Sequence, residues 1–181
     1  MTKASEELIH EHNAVLIALD VLDKISQQIH QEKNANIRDI EDLLEFLKTF
    51  VDKCHHGKEE GILFPALEES GMQHHYGPIG VMLSEHQQGR EYIKQMRESI
   101  INNTIQNDTF IGAATSYTKL LRNHIAKENN ILFPMSDELL SELTQSDILR
   151  DFEDLEENVV GKGKHEEFHN MLSKLRAKYL L

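Results

Sequence analysis

The segments HHGKEEGILFP, ending at Pro65, and HIAKENNILFP, ending at Pro134, are two copies of one pattern. Their offset is 69 residues (134 minus 65). A chain carrying the same short frame twice is constrained to present two like elements in like surroundings. Each copy sets a glutamate four positions after a histidine, and on a helix such residues stack on one face a turn apart. The offset also chooses a register. Subtracting 69 from His124 and Glu128 lands on His55 and Glu59, whereas His56 corresponds to Ile125. The repeat therefore selects His55 with Glu59 over His56 with Glu60.

Apolar residues recur at helical spacing almost throughout, and nothing reads as more than a very short strand. The periodicity predicts a first helix capped by Thr2 or Ser5 and running to about Ile29, with Leu8, His12, Val15, Leu16, Leu19 and Leu22 on its core stripe. After a polar break, QEKNAN, a second helix starts near Ile37 and runs through Leu44, Leu47, Val51 and Cys54 toward Pro65, where it kinks or ends. A third runs from about Ile79 to Ile101 and is broken at NNTIQND. A fourth starts near Thr109 and carries Ala113, Tyr117, Leu120, Leu121 and His124 toward Pro134. Four amphipathic helices with short connections predict an all-α, up-down-up-down four-helix bundle over residues 1–140. Residues 141–181 read as two shorter helices, split by GKGK and packed on the bundle as an appendage of the same domain.

Helical phase puts His12, His55, His86 and His124 on or beside the four core stripes, while His10 points away from the core and His56 and Glu60 point toward water. Glu59 and Glu128 face inward with them. A buried histidine is usually just hydrogen-bonded. Two buried carboxylates are another matter, because each costs several kcal/mol without a partner. Among the cations only Arg90 lies on a facing stripe, and Lys58 and Lys127 read as surface residues. Metal cations set among four imidazoles would satisfy both glutamates. Imidazole with carboxylate and no thiolate suits iron, with manganese second, rather than structural zinc.

These motifs, with EHN at His12 and EHQQGR at His86, resemble the hemerythrin-like (HHE cation-binding) family over about residues 5 to 135. The resemblance implies a non-haem centre of two irons, oxo- or hydroxo-bridged when oxidised, held by His12, His55, Glu59, His86, His124 and Glu128. Oxygen carriers of that family have another ligating histidine where this chain has Arg90, and H-x-x-x-x-D where it has H-x-x-x-E. The set of four histidines and two glutamates is similar to that of the bacterial iron-sulfur repair proteins, whose cysteine-bearing N-terminal domain is not in this sequence. One coordination position is left for a small ligand. The expected function is binding or reduction of oxygen, nitric oxide or hydrogen peroxide there, as in a peroxide or nitric oxide reductase. The alternative is an oxygen- or iron-sensing or storage protein without turnover.

The net charge of −12, with no Lys/Arg cluster, argues against nucleic acid or an anionic membrane as partner. No run suits a membrane span, and the charged N-terminal residues predict no secretory signal. The single cysteine, Cys54, fits a reducing compartment and reads as core packing, so a cytoplasmic location is expected. Tyr117 reads as a core tyrosine with a satisfied hydroxyl, able to reach a bound ligand. His165 and His169 form a second pair at helical spacing, with Glu166 or His169 within possible reach of the metal site. His74 and His75 read as solvated loop residues.

Overall fold

The computed structural model describes residues 2–31 and 35–181, so part of the QEKNAN break lies outside the described residues. The fold is an all-α bundle. Helix α1, Ala4–His30, begins after Lys3, whose backbone N–H donates to the Glu6 carboxylate. Neither Thr2 nor Ser5 caps it. Ser5 is buried inside the helix and donates its hydroxyl to Asp137.

The second helical segment starts as α2, Ile37–Phe46, with Asn36 accepting from the Arg38 and Asp39 amides. It then widens into π turns over Leu47–His56 and Glu59–Leu63 and continues as α3, Phe64–Glu69. The helix thus does not end at Pro65 but runs through it, changing there from π to α turns. Proline clashes with the carbonyl four residues back and lacks the N–H to bond it. In a π turn the bond reaches five back, and the Phe64 amide donates to Glu59. The second copy repeats the device. Helix α5, Asn107–Lys127, passes through a π turn at Glu128–Leu132 into α6, Phe133–Leu139, across Pro134.

Between these lies α4, Pro78–Glu98. It stops before Ile101 because a two-residue ribbon, β1 (Ile100–Ile101) and β2 (Thr104–Ile105), turns the chain back. Asn102 and Asn103 both take positive φ, 49° and 57°, as a tight hairpin turn requires. The tail forms α7, Glu142–Leu155, extended by a π turn at Glu156–Val160, and α8, Lys164–Tyr179. Helix α8 packs on α1 and α2, and the end of α7 packs on the π turns of the second segment.

Two apolar clusters make the core. One gathers Val15, Leu19, Leu22, Val51, Ile93, Tyr117 and Leu121 with Leu172 and Leu175 of α8. The other gathers Leu8, Leu63, Phe64, Met82, Leu132 and Phe133 with Ile148 and Phe152 of α7. Each main helix crosses from one cluster to the other, and His12, His55, His86 and His124 stand at the crossing. A polar layer thereby divides the core, sealed above and below by apolar side chains.

Candidate metal centre

Each helix contributes to that layer at a point where its apolar stripe is interrupted. His12, His55, Glu59, His86, His124 and Glu128 are all essentially fully buried, and the fold brings all six together. The histidines form two pairs. His12 and His55 face each other through their Nε2 atoms at 3.0 Å, and His86 and His124 do so at 3.1 Å.

The two glutamates span the pairs. Glu59 sets one oxygen 3.6 Å from His55 Nε2 and the other 3.2 Å from His86 Nε2. Glu128 sets its oxygens 3.2 Å from His12 Nε2 and 3.1 Å from His124 Nε2. None of these four carboxylate oxygens has a properly directed hydrogen bond. Buried carboxylates left this way cost several kcal/mol each, so the layer suits cations at its centre. The donor atoms of His12, His55, Glu59 and Glu128 lie within 4.8 Å of one another, and so do those of His56, Glu59, His86 and His124. Two metal-sized groups share Glu59.

The far nitrogen of each paired imidazole is held from another helix. His55 Nδ1 meets Glu11 at 2.7 Å, and His124 Nδ1 meets Glu85 at 2.9 Å. His12 Nδ1 meets Asn129 Oδ1 at 2.7 Å, and His86 Nδ1 meets Glu60 at 2.7 Å. An acceptor at Nδ1 fixes the tautomer that leaves Nε2 as a lone pair for metal, and raises its basicity. The arrangement has an internal two-fold logic. Glu11 and Glu85 each precede an inward histidine, while Glu60 and Asn129 each follow a spanning glutamate. Phe64 and Phe133 of the repeat stack on His86 and His12 with rings within 16° of parallel.

The lysines of the repeat belong to this framework. Lys58, expected at the surface, is fully buried. Its ammonium donates to Glu7 at 2.7 Å, Glu11 at 2.6 Å and Glu156 at 2.5 Å. Those three carboxylates could themselves group around a metal, but Lys58 fills their centre. In the second copy Lys127, half-exposed, bonds Glu85. Arg90 lies between Asp52, at 2.7 Å, and Glu60, at 2.6 Å. It supports the acceptor of His86.

His56 departs most from the sequence reading. Only 4% exposed, it stacks on His86 with ring centroids 3.8 Å apart and planes 14° from parallel. The π hydrogen bonding of Leu47–His56 packs more residues into each turn than an α-helix, so adjacent residues turn away from one another less. His55 and His56 therefore both face inward. Glu60 likewise reaches His86 rather than open water.

Charge in the layer follows these contacts. Burial disfavours protonation of His55, yet Glu59 and Glu11 hold its pKa above the ordinary value. Burial is likewise overcome at His124, where Glu128 and Glu85 bring the pKa up to about 10. Burial would raise Glu128, but His124 and His12 keep it well below the usual carboxylate range. Burial and the neighbouring His86 and His124 push His56 well below its ordinary value. These carboxylates are arranged to hold positive charge.

Other sequence candidates fall elsewhere. Tyr117 is buried, but its hydroxyl lacks a hydrogen-bond partner among the described residues. Cys54 is buried in the core. His165 and His169 lie 4.7 Å apart, ring to ring, beside Phe50 and outside both metal-sized groups. Glu166 and His169 are exposed, and Glu156 is the tail residue that reaches the framework, through Lys58.

Fold and site together define a helical bundle with a buried histidine–glutamate centre suited to metal. The profile of the hemerythrin HHE cation binding domain matches residues 3–136, and the chain belongs to that family. Among its relatives, the iron-sulfur cluster repair protein YtfE of Edwardsiella ictaluri is 32% identical over 133 residues, covering 68% of this chain and 58% of the relative. YtfE of Escherichia coli (strain HS) is 29% identical over 114 residues, covering 60% and 51%. The uncharacterized protein Rv1995 of Mycobacterium tuberculosis is 22% identical over 163 residues, covering 88% and 63%. The chain thus spans just over half to about six-tenths of the length of these relatives. No solved structure matches it significantly. No helix among the described residues is long and apolar enough to cross a membrane.

Proposed function

We propose that this chain is a non-haem di-iron protein that binds and reduces a small ligand: oxygen, nitric oxide or hydrogen peroxide. The observation that carries this reading is the set of four orphaned oxygens on Glu59 and Glu128, each facing an imidazole Nε2. His12 and His55 would hold one iron and His86 and His124 the other, with Glu59 and Glu128 bridging. When bound, the iron pair supplies the electrons for reduction and a coordination position for the ligand.

The chain's own residues do the rest. Glu11, Glu60, Glu85 and Asn129 keep the imidazoles oriented, and the negative charge of the three glutamates favours the more oxidised cations. The apolar clusters on either side, including Phe64 and Phe133, exclude bulk water and admit small uncharged ligands. The YtfE relatives, named for iron-sulfur cluster repair, suggest a damaged iron-sulfur protein as the partner.

Elemental analysis of protein from iron-supplemented cells tests the reading. About two irons per chain are expected, falling sharply in His55→Ala and Glu59→Ala. With a chemical electron donor supplied to re-reduce the irons, multiple turnovers with peroxide or nitric oxide would support the reductase, and a reversible adduct without turnover would support a sensing or storage role instead. No bound iron after reconstitution would sink the proposal.

A further inference from the structure

The tail meets the imidazole framework at the Lys58 ammonium. That group, fully buried, donates to Glu7 and Glu11 of α1 and to Glu156 in the π turn that closes α7. Phe152 of α7, also fully buried, lies under the same ammonium, with 5.3 Å from nitrogen to ring centroid. Both tail residues lie beyond residues 3–136, which the family profile matches. A lysine in the core must have all its charge answered by partners, and an apolar side chain would fill the space without that demand. A cation retained there, beside a layer suited to metal, points to a use for its charge.

Glu11 shows what that charge acts on. Its Oε1 accepts from Lys58 at 2.6 Å, and its Oε2 meets His55 Nδ1 at 2.7 Å. One carboxylate thus divides its negative charge between a cation and an imidazole of the metal layer. The more closely Lys58 holds one oxygen, the weaker an acceptor the other becomes, and the less electron density His55 offers through Nε2. Glu7 and Glu156 compete with Glu11 for the same ammonium. Lys58 and Glu11 are 0% and 4% exposed, so little water screens this competition. The second copy lacks the arrangement. Lys127, in the frame position of Lys58, is half-exposed and bonds Glu85, and no tail residue joins it among the described residues.

We propose that Glu156 and Lys58 are positioning residues through which the C-terminal tail sets the reduction potential of the iron centre, by fixing how strongly Glu11 polarises His55. The proposal rests on the di-iron reading and adds to it a control that lies outside the family profile. The chemistry gives a sign to each change. Without Lys58, the whole charge of Glu11 bears on His55, the imidazole becomes the stronger donor, and ferric iron is favoured. Without the charge of Glu156, Lys58 bears harder on Glu11, His55 becomes the weaker donor, and ferrous iron is favoured. The two variants therefore move the potential in opposite directions, the first down and the second up.

The test uses the full chain loaded with iron and poised anaerobically at the wild-type midpoint potential. The ferrous-to-ferric ratio should rise by about threefold or more in Glu156→Gln and fall by about threefold or more in Lys58→Met. Glu157→Gln removes the same charge from an exposed neighbour and should leave the ratio unchanged. In the diferrous proteins, one paramagnetically shifted imidazole N–H signal should move in opposite directions in Glu156→Gln and Lys58→Met, while the others hold their places. Shifts of the same sign in those two variants would overturn the proposal. So would a Glu156→Gln that matches Glu157→Gln, and this comparison stands even if Lys58→Met fails to fold, because Glu156→Gln leaves Lys58 its bonds to Glu7 and Glu11. Wild type that takes up no iron would instead overturn the di-iron reading itself.

Discussion

Replacing Lys58 by methionine keeps a long unbranched apolar stem but ends it one atom short, removing the ammonium with its charge and its three donated hydrogen bonds. The cost follows from the exposure of its partners. Glu7 and Glu156 are each 30% exposed, so both can regain water, and each loses about 0–1 kcal/mol. Glu11 is 4% exposed and cannot. Removing one partner of a buried pair costs about 3–5 kcal/mol, because the other charge is stranded. The three terms together come to about 3–7 kcal/mol, and at about 2–4 °C per kcal/mol for a chain of this size, melting should fall by roughly 6–28 °C. Lys127→Met is the control, since that lysine is 36% exposed and should lose about 0–1 kcal/mol. Urea and thermal unfolding of both variants with chelator present would make the comparison. Acid adds a second readout. Burial raises the Glu11 carboxyl, but His55 and Lys58 bring it down to about 2. Because this folded-state pKa is depressed, its stabilisation is complete above the ordinary carboxylate range and is lost as pH falls toward 2. Lys58→Met should lose less stability than the wild type between pH 5 and pH 3. Equal, small losses in the two lysine variants would refute the reasoning.

Three further outcomes are expected. Cys54 should resist alkylation until the protein unfolds, since burial pushes its thiol up to about 12, leaving roughly 10³-fold less thiolate at pH 8 than in a free cysteine; rapid native labelling would contradict its place in the core. Gly80→Ala should cost about 1–3 kcal/mol in urea unfolding, because a Cβ there would meet the carbonyl oxygens of His74 and His75 at 2.9 Å. Gly112→Ala, with open space around it, should instead gain up to about 1 kcal/mol, and equal effects would count against the loop packing. Burial, then His165 and His10, lower the pKa of His169, so its contribution is present above its ordinary value near 6.5 and lost as pH falls. His169→Gln should match the wild type at pH 7.5 and be the more stable at pH 5.5, and a difference independent of pH would argue against this.

His12, His86 and His124 were legible because regular helical phase carries that information, whereas His55, Glu59 and Glu128 fall in π turns and were legible through the repeat. His12, His86 and His124 lie on α-helical stretches where a step of about 100° per residue holds. His56 was not legible, because the π turn changes the step and the sequence reading kept the α value. Proline at the close of both repeats was the available hint, since a π turn is one way for a helix to cross proline. The acceptors Glu11 and Glu85 were hidden differently. On its own helix each points sideways, and its use depends on which helix lies alongside. Their shared position, directly before His12 and His86, was visible in EHN and EHQQGR. Lys58 was the hardest to read, because three carboxylates from two distant segments make its burial tolerable.

The cross-bracing of the imidazoles governs the order in which a newly made chain can become competent. His55, His86 and His124 meet acceptors made earlier in the chain, Glu11, Glu60 and Glu85, but the brace for His12 arrives only with Asn129. The anchor on Lys58 is incomplete until Glu156 has been synthesised. A half-made chain therefore has His12 unbraced and lacks His124 and Glu128 altogether. Competence comes late and all at once, after most of the polypeptide has folded around it.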